Sequence, residues 1–328
     1  MAAGKITKRK KLNYVKWGYF FIAPFFIVYT IFSLIPLVQA VFFSFCEYNY
    51  IINYTTLEIG WGNVGWFGLG NYKEIFANFQ ILKILGKTLT MWIMGFIPQI
   101  LVSLLLAVWF TDSRLKIKGA SFFKAIIYMP NLIMATALAA LFGTMFGLGG
   151  PFEEVLFSGT KMLDSTWPLR WLIAFINFIM WFGNTTILLM AGVMGIDESI
   201  FEAATIDGAG PIRTFKDITM PLLMPIFIYV FLTSLIGGVQ MFDINMNIRP
   251  RETGRGGSSG QIQTLIMYLN VSITGQKYGV AGAISIVMFI FTGTLSFIIY
   301  KTLNTDVSAN KAKKKELKLL SKKVNANV

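Results

Sequence analysis

Six stretches of this chain, at roughly 18–45, 86–110, 121–146, 169–194, 220–242 and 281–303, are apolar over about the ~20 residues that a helix needs to cross a ~30 Å hydrocarbon core. Neither strand-like alternation nor an amphipathic stripe divides them. They read as helices, whose backbone is satisfied internally in lipid. A water-soluble fold is excluded on the same grounds, because only 14% of the residues are charged against about 25% in an ordinary soluble domain. The expected fold class is all-α, a polytopic membrane helical bundle of about six transmembrane helices.

The formal charge of +13 would suit a nucleic-acid partner if the basic residues lay together on a folded surface. They lie instead at the two ends. Lys5, Lys8, Arg9, Lys10, Lys11 and Lys16 precede the first apolar block, and Lys311, Lys313, Lys314, Lys315, Lys318, Lys322 and Lys323 follow the last. Such clusters anchor span ends and meet anionic membrane lipid, and no nucleic-acid partner is expected. With both termini cytoplasmic, the inner segments carry 20 of the 29 Lys and Arg residues and the outer loops 9, the sense that the positive-inside rule requires. The first block is longer than the 7–15-residue apolar core of a cleaved signal peptide, so it reads as a retained anchor. The chain then divides into a basic N-terminal segment (1–17), a first span with its external loop (18–85), a core of spans (86–303) and a basic tail (304–328).

A single cysteine, Cys46, rules out a disulfide framework, and the absence of histidine removes the commonest metal ligand and the usual general base. No catalytic residue, metal or cofactor is expected on this chain. Two nucleotide-site look-alikes are discarded. Gly60-Trp61-Gly62-Asn63-Val64-Gly65 has no strand expected before it and no helix opening at its end. Gly86-Lys87-Thr88 lacks the first P-loop glycine, Ile81 standing there, and runs into a span.

Between the fourth and fifth blocks, Gly195–Pro211 reads as a short helix of about two turns. Ser199 with Glu202 makes a capping box, Gly208, Gly210 and Pro211 stop the run at Asp207, and Pro211 can open a second helix toward Met220. So short a helix is stable only when packed on something. Ala203 and Ala204 permit close approach, and Ile200, Phe201, Ala204 and Ile206 would fill a groove on a partner. An interfacial helix lying on the lipid surface is the alternative.

Glu202-Ala203-Ala204-Thr205-Ile206-Asp207-Gly208-Ala209-Gly210, followed by Phe215, Ile218-Thr219 and Pro221-Leu222-Leu223, resembles the EAA loop of permease subunits of binding-protein-dependent ABC importers, and within them the carbohydrate group. Gly68-Leu69-Gly70-Asn71-Tyr72, Phe122–Asn131, Gln240-Met241-Phe242-Asp243 and Tyr278–Ala283 are similar to strings of that family, so the likeness covers roughly 15–303. Two departures accompany it. The chain lacks the large insertion and extra spans of the larger maltose subunit, and Gly256-Gly257-Ser258-Ser259-Gly260 stands where the family often has Gly-Gly-Pro. The resemblance implies the fold of a type I importer transmembrane domain, with an EAA loop at 195–221 whose Ser199, Phe201, Glu202, Ala203, Ala204, Asp207, Gly208, Ala209 and Gly210 couple to an ATPase. Implied partners are a second permease subunit, two ATPase subunits that bind ATP and Mg, an extracytoplasmic solute-binding protein and a carbohydrate. The implied location is a prokaryotic cytoplasmic membrane. Glu202 can also serve as a cap alone.

Polar residues inside spans face a cavity or the bundle interior. In the fourth span Asn177, Trp181 and Asn184 fall at i, i+4 and i+7 on one face; in the fifth, Thr233, Gly237 and Gln240 share that spacing, with Ser234 and Met241 beside them. Aromatic planes and uncharged hydrogen-bonding groups suit a neutral, hydroxyl-rich solute. Interhelical packing is the other use of such residues. Two further functions stay open on the residues alone. An ion-coupled secondary transporter is disfavoured by the scarcity of intramembrane carboxylates, and a membrane-embedded transferase by the lack of histidine and of an acidic metal cluster.

Overall fold

The computed structural model describes residues 15–47, 50–53, 58–61, 65–112, 115, 117–147, 149–157, 162–249 and 260–326. Helices α1 (Val15–Tyr29) and α2 (Ile35–Ser44), joined by a π-helical turn at Thr30–Leu34, make the first span. Four short strands follow as two antiparallel pairs, β1 (Cys46–Glu47) with β4 (Gly65–Trp66) and β2 (Tyr50–Asn53) with β3 (Glu58–Trp61). Then come α3 (Gly70–Phe76), α4 (Gln80–Thr111), α5 (Ala120–Tyr128), α6 (Ala135–Met145), α7 (Pro151–Phe157), α8 (Thr166–Met194), α9 (Glu198–Ile206), α10 (Pro211–Thr214), α11 (Met220–Val239), α12 (Asp243–Asn247), α13 (Leu265–Thr274) and α14 (Tyr278–Ala326).

Among the described residues, five helical stretches are long and apolar enough to cross a membrane: Lys16–Ser44, Gln80–Thr111, Thr166–Met194, Pro211–Asn247 and Tyr278–Asn304. The third apolar block departs from the expected single helix. It is broken by 85° between Ala120–Leu132 and Ala135–Met145. Pro130 sits in the 3₁₀ turn Met129–Leu132 and has no N–H to continue an α-ladder, and Ile133 and Met134 follow in extended conformation. The strands are a second departure from an all-helical reading. A strand does run through Gly60 and Trp61, but it belongs to an antiparallel pair and the next described helix opens at Gly70; positions 62–64 of the look-alike lie outside the described residues. Gly86, Lys87 and Thr88 lie within α4.

The core is the packing of α4 against α8, with α11 beside both. Small residues set the approach. An added Cβ at Gly95 would stand 2.9 Å from the Ala174 carbonyl oxygen, and one at Gly183 would collide with the backbone of Ile127. Buried polar groups between the two spans are satisfied: Gln99 Nε2 donates to Thr185 Oγ1 at 2.8 Å and Ser103 Oγ to the Phe182 carbonyl at 2.9 Å. The first span stands apart. Of its residues from Lys16 to Ser44 only Ser44 is buried, and α2 rests on α14 where Gly282 meets Ala40 and Ser44.

Candidate functional site

A cavity of about 290 Å³ lies midway along α4, α8 and α11. The two helical faces read from the sequence converge on it. Asn177, Trp181 and Asn184 line it from α8, and Thr233, Ser234 and Gly237 from α11, with Met241 just beyond that helix. Gln240 does not join them. The α-helix stops at Val239, so the next position on its face is lost, and Gln240 caps the end with its side chain exposed. Met241 takes the place, its sulfur 3.2 Å from Asn177 Nδ2.

A third wall comes from α4, which the sequence reading left out: Trp92, Phe96 and Gln99, spaced like the α8 triplet at i, i+4 and i+7. Its spacing is legible in the sequence, although this span does not adjoin the short helix. Trp92 stacks on Phe96 at 5.2 Å between ring centroids, and Phe231 meets both rings edge-on. Trp92 Nε1 donates to Ser234 Oγ at 3.1 Å, and its indole lies over Gly238, where a Cβ would collide with it. Among the described residues that line it, none is charged. Much of the lining is already spoken for. Asn177 Nδ2 donates to Ile173 O, Thr233 Oγ1 to Tyr229 O, and Gln99 to Thr185. Asn184 has no side-chain hydrogen bond with any described residue, and the Trp181 ring is 46% exposed. Among the described residues no three His, Cys, Asp or Glu side chains group to hold a metal.

At the opposite end of α8 from residue 166 stands α9, nine residues long. Its start corrects the expected capping box. Asp197 is the N-cap, its Oδ1 accepting from Ser199 N at 3.0 Å, so Ser199 lies inside the first turn and Glu202, five residues into the helix, is too far along to reach back to the cap. The bonds from Ser199 hold the Asp197 carboxyl below its ordinary range. At the other end Gly208 takes φ +72°, Gly208 N donates to Thr205 O and Ala209 N to Ala204 O, the paired 5→2 and 6→1 bonds of a Schellman motif. Pro211 then opens α10, and a π-helical turn at Phe215–Thr219 leads into α11. Ala204 is buried and Phe201 half-buried; Glu202, Ala203, Asp207 and Gly210 are exposed, and Ile206 and Ile212 stand 86% and 83% exposed.

Residues 99–309, well over half of the chain, match the family described as binding-protein-dependent transport system inner membrane component. The chain belongs to that family. As an inner-membrane permease component it is similar to the multiple sugar-binding transport system permease protein MsmF of Streptococcus mutans, 29% identical over 302 residues that cover 90% of this chain and 98% of that protein. It is similar also to the arabinooligosaccharides transport system permease protein AraP of Bacillus subtilis, 28% identical with 92% and 93% covered, and to the lactose transport system permease protein LacF of Rhizobium radiobacter, 28% identical with 86% and 92% covered. The permease shares its fold with a chain of a bacterial ABC transporter involved in the import of the acidic polysaccharide alginate, with TM-score 0.65, 17% identity, and 90% and 96% of the two chains covered.

Proposed function

We propose that this permease forms one half of the translocation path of an ATP-driven importer for a neutral sugar or oligosaccharide. The observation that carries the reading is the convergence of three spans on an uncharged, aromatic-walled cavity with a free amide at Asn184. Indole and phenyl faces cover the apolar side of a pyranose, and amide and hydroxyl groups serve its hydroxyls. A charged solute would leave a charge unpaired in the bilayer. The sugars for which its relatives MsmF, AraP and LacF are named point the same way.

On this reading both termini face the cytoplasm, and the companion chains are a second permease subunit, two ATPase subunits that carry ATP and Mg, and an extracytoplasmic solute-binding protein. Closure of the ATPases would move α9, and the rigid helix beyond Pro211 would pass the motion to the α11 wall of the cavity, giving alternating access. Glu202, exposed with no hydrogen bond or ion pair to any described residue, is the side chain most available to the ATPase.

The test is uptake into proteoliposomes holding the assembled complex and ATP, with a panel of neutral and uronic oligosaccharides. ATP-dependent uptake of a neutral glycan supports the proposal. Uptake driven by an ion gradient without ATP, or confined to uronates, sinks it.

A further inference from the structure

Helix α11 supplies one wall of the cavity and follows α9 in the chain, yet it is tied to its neighbours unevenly. α4 and α8 share two directional bonds, Gln99 to Thr185 and Ser103 to the Phe182 carbonyl. Between α4 and α11 the described residues make one, from Trp92 Nε1 to Ser234 Oγ at 3.1 Å, and between α8 and α11 they make none. The other contacts of α11 are apolar. Near α9, Gly192 of α8 faces Leu223 and Ile226, and at the far end Leu235 and Val239 join Ile81 and Ile84 in a buried cluster. Apolar contact is non-directional and survives a slide of one helix on another; a hydrogen bond does not.

Trp92 is enclosed on the side of the protein. Phe96 stacks on its ring, Phe231 meets it edge-on, and Gly238 lies so close that a Cβ there would collide with it. So packed, the indole is placed to hold α11 rather than to stack on a solute, and its nitrogen donates one bond and accepts none. Ser234 is the reachable half of the pair. It lines the cavity, its own hydroxyl proton goes to no acceptor among the described residues, and a Cβ on Gly237, three residues along, would meet nothing within 4 Å.

A hydroxyl both accepts and donates, so one that enters beside Gly237 can accept the indole proton and donate to Ser234 Oγ. Neither protein group is then left unpaired, but the tie between the helices becomes longer by one oxygen atom. We infer that Trp92 is a positioning residue, a latch that holds the far end of α11 against α4 while the cavity is empty, and that a hydroxylated solute releases it by inserting between the indole N–H and Ser234. Occupancy of the cavity and freedom of the α11 wall then become one event.

The inference rests on the sugar reading of the cavity, and the experiment separates the two. Cysteines at Lys83 of α4 and Gln240 just beyond α11, both exposed, carry spin labels in a Cys46→Ser background, and the distance between them reports the separation of the helices. The assembled complex in nanodiscs is measured alone and with the neutral oligosaccharides of the uptake panel, lactose and maltotriose among them. Trp92→Phe keeps a ring against Phe96 and loses the N–H, and Ser234→Ala removes the other end of the same bond. Each is expected to raise the long-distance population of the solute-free complex about three- to tenfold, the worth of one hydrogen bond, and the two together no further than either alone. Ser234→Thr, which keeps the hydroxyl, should return the wild-type distances, and an imported glycan should bring the wild type to the long distance. Unchanged distances in both single variants, or effects that add in the double variant, overturn the latch. A glycan that the wild type imports without any lengthening overturns release by the solute. A wild type that imports no glycan removes the sugar reading and the release step with it, while the solute-free distances still decide the latch.

Discussion

Asn184 is the polar side chain in the cavity with the most left to offer, since Asn177, Gln99, Ser234 and Thr233 all hold partners. Asn184→Ala should lower uptake about three- to tenfold, the worth of one hydrogen bond to a solute, with the amount of assembled complex unchanged on a sizing column. Equal loss of assembly would move the residue from solute contact to helix packing. Gly208 is tested separately, because open space surrounds it and only its φ of +72° forbids a side chain. Gly208→Ala should cost about 1 kcal/mol of α9 end stability and Gly208→Asn less, read by hydrogen exchange of the α9 amides. Asp197 carries the acid dependence of that helix. Its carboxyl is lowered from the ordinary 3.8 by the bonds from Ser199, so the cap is complete above that value and is lost as pH falls through the lower folded one. Exchange of the first-turn amides should stay flat through neutral and mildly acid pH and quicken only in stronger acid. At this scale the sequence was legible where chemistry depends on residue type and period, as in the α8 triplet. It misled at Ser199 because aspartate and serine both cap helices, and only the backbone torsions, which leave Asp197 outside the helix and Ser199 within it, decide between them.

Among the elements, α4 and α8 form the contact on which the cavity walls depend. Gly95 lines the cavity and abuts the Ala174 carbonyl, so Gly95→Leu must push the two helices apart. We expect it to lower the thermal midpoint of the detergent-solubilised protein by several degrees and to abolish uptake, while Gly237→Ala, whose Cβ would meet nothing, leaves the midpoint unchanged. The six apolar blocks were legible because hydrocarbon demands length above all. The 85° break in the third was not, since its apolar run continues through Pro130 and only the missing N–H and the extended residues after it turn the chain. Gln240 was lost for the same kind of reason, a helix end being invisible to a seven-residue period. Lys87 of α4 donates to the Gly260 carbonyl and Arg170 of α8 to the Gln261 carbonyl, and no local pattern encodes such long-range contacts.

For the whole molecule, the orientation rests on charge counting, and it is checked by replacing Cys46 with serine and placing single cysteines at Glu202 and Lys83. A membrane-impermeant maleimide on intact cells should label the second and spare the first; the reverse would invert the topology. The open side of the cavity has a consequence of another kind. Trp181 and Tyr229 stand 46% and 56% exposed in the single chain, beside amides and hydroxyls that gain nothing from acyl tails. On the proposed pairing that face is covered by the companion permease. A cell that makes this chain in surplus holds a protein with a wet groove turned toward oil, and the quality-control proteases of the membrane should clear the unpaired copies faster than the paired ones. Matched synthesis of the two subunits would then be enforced by degradation as much as by gene expression.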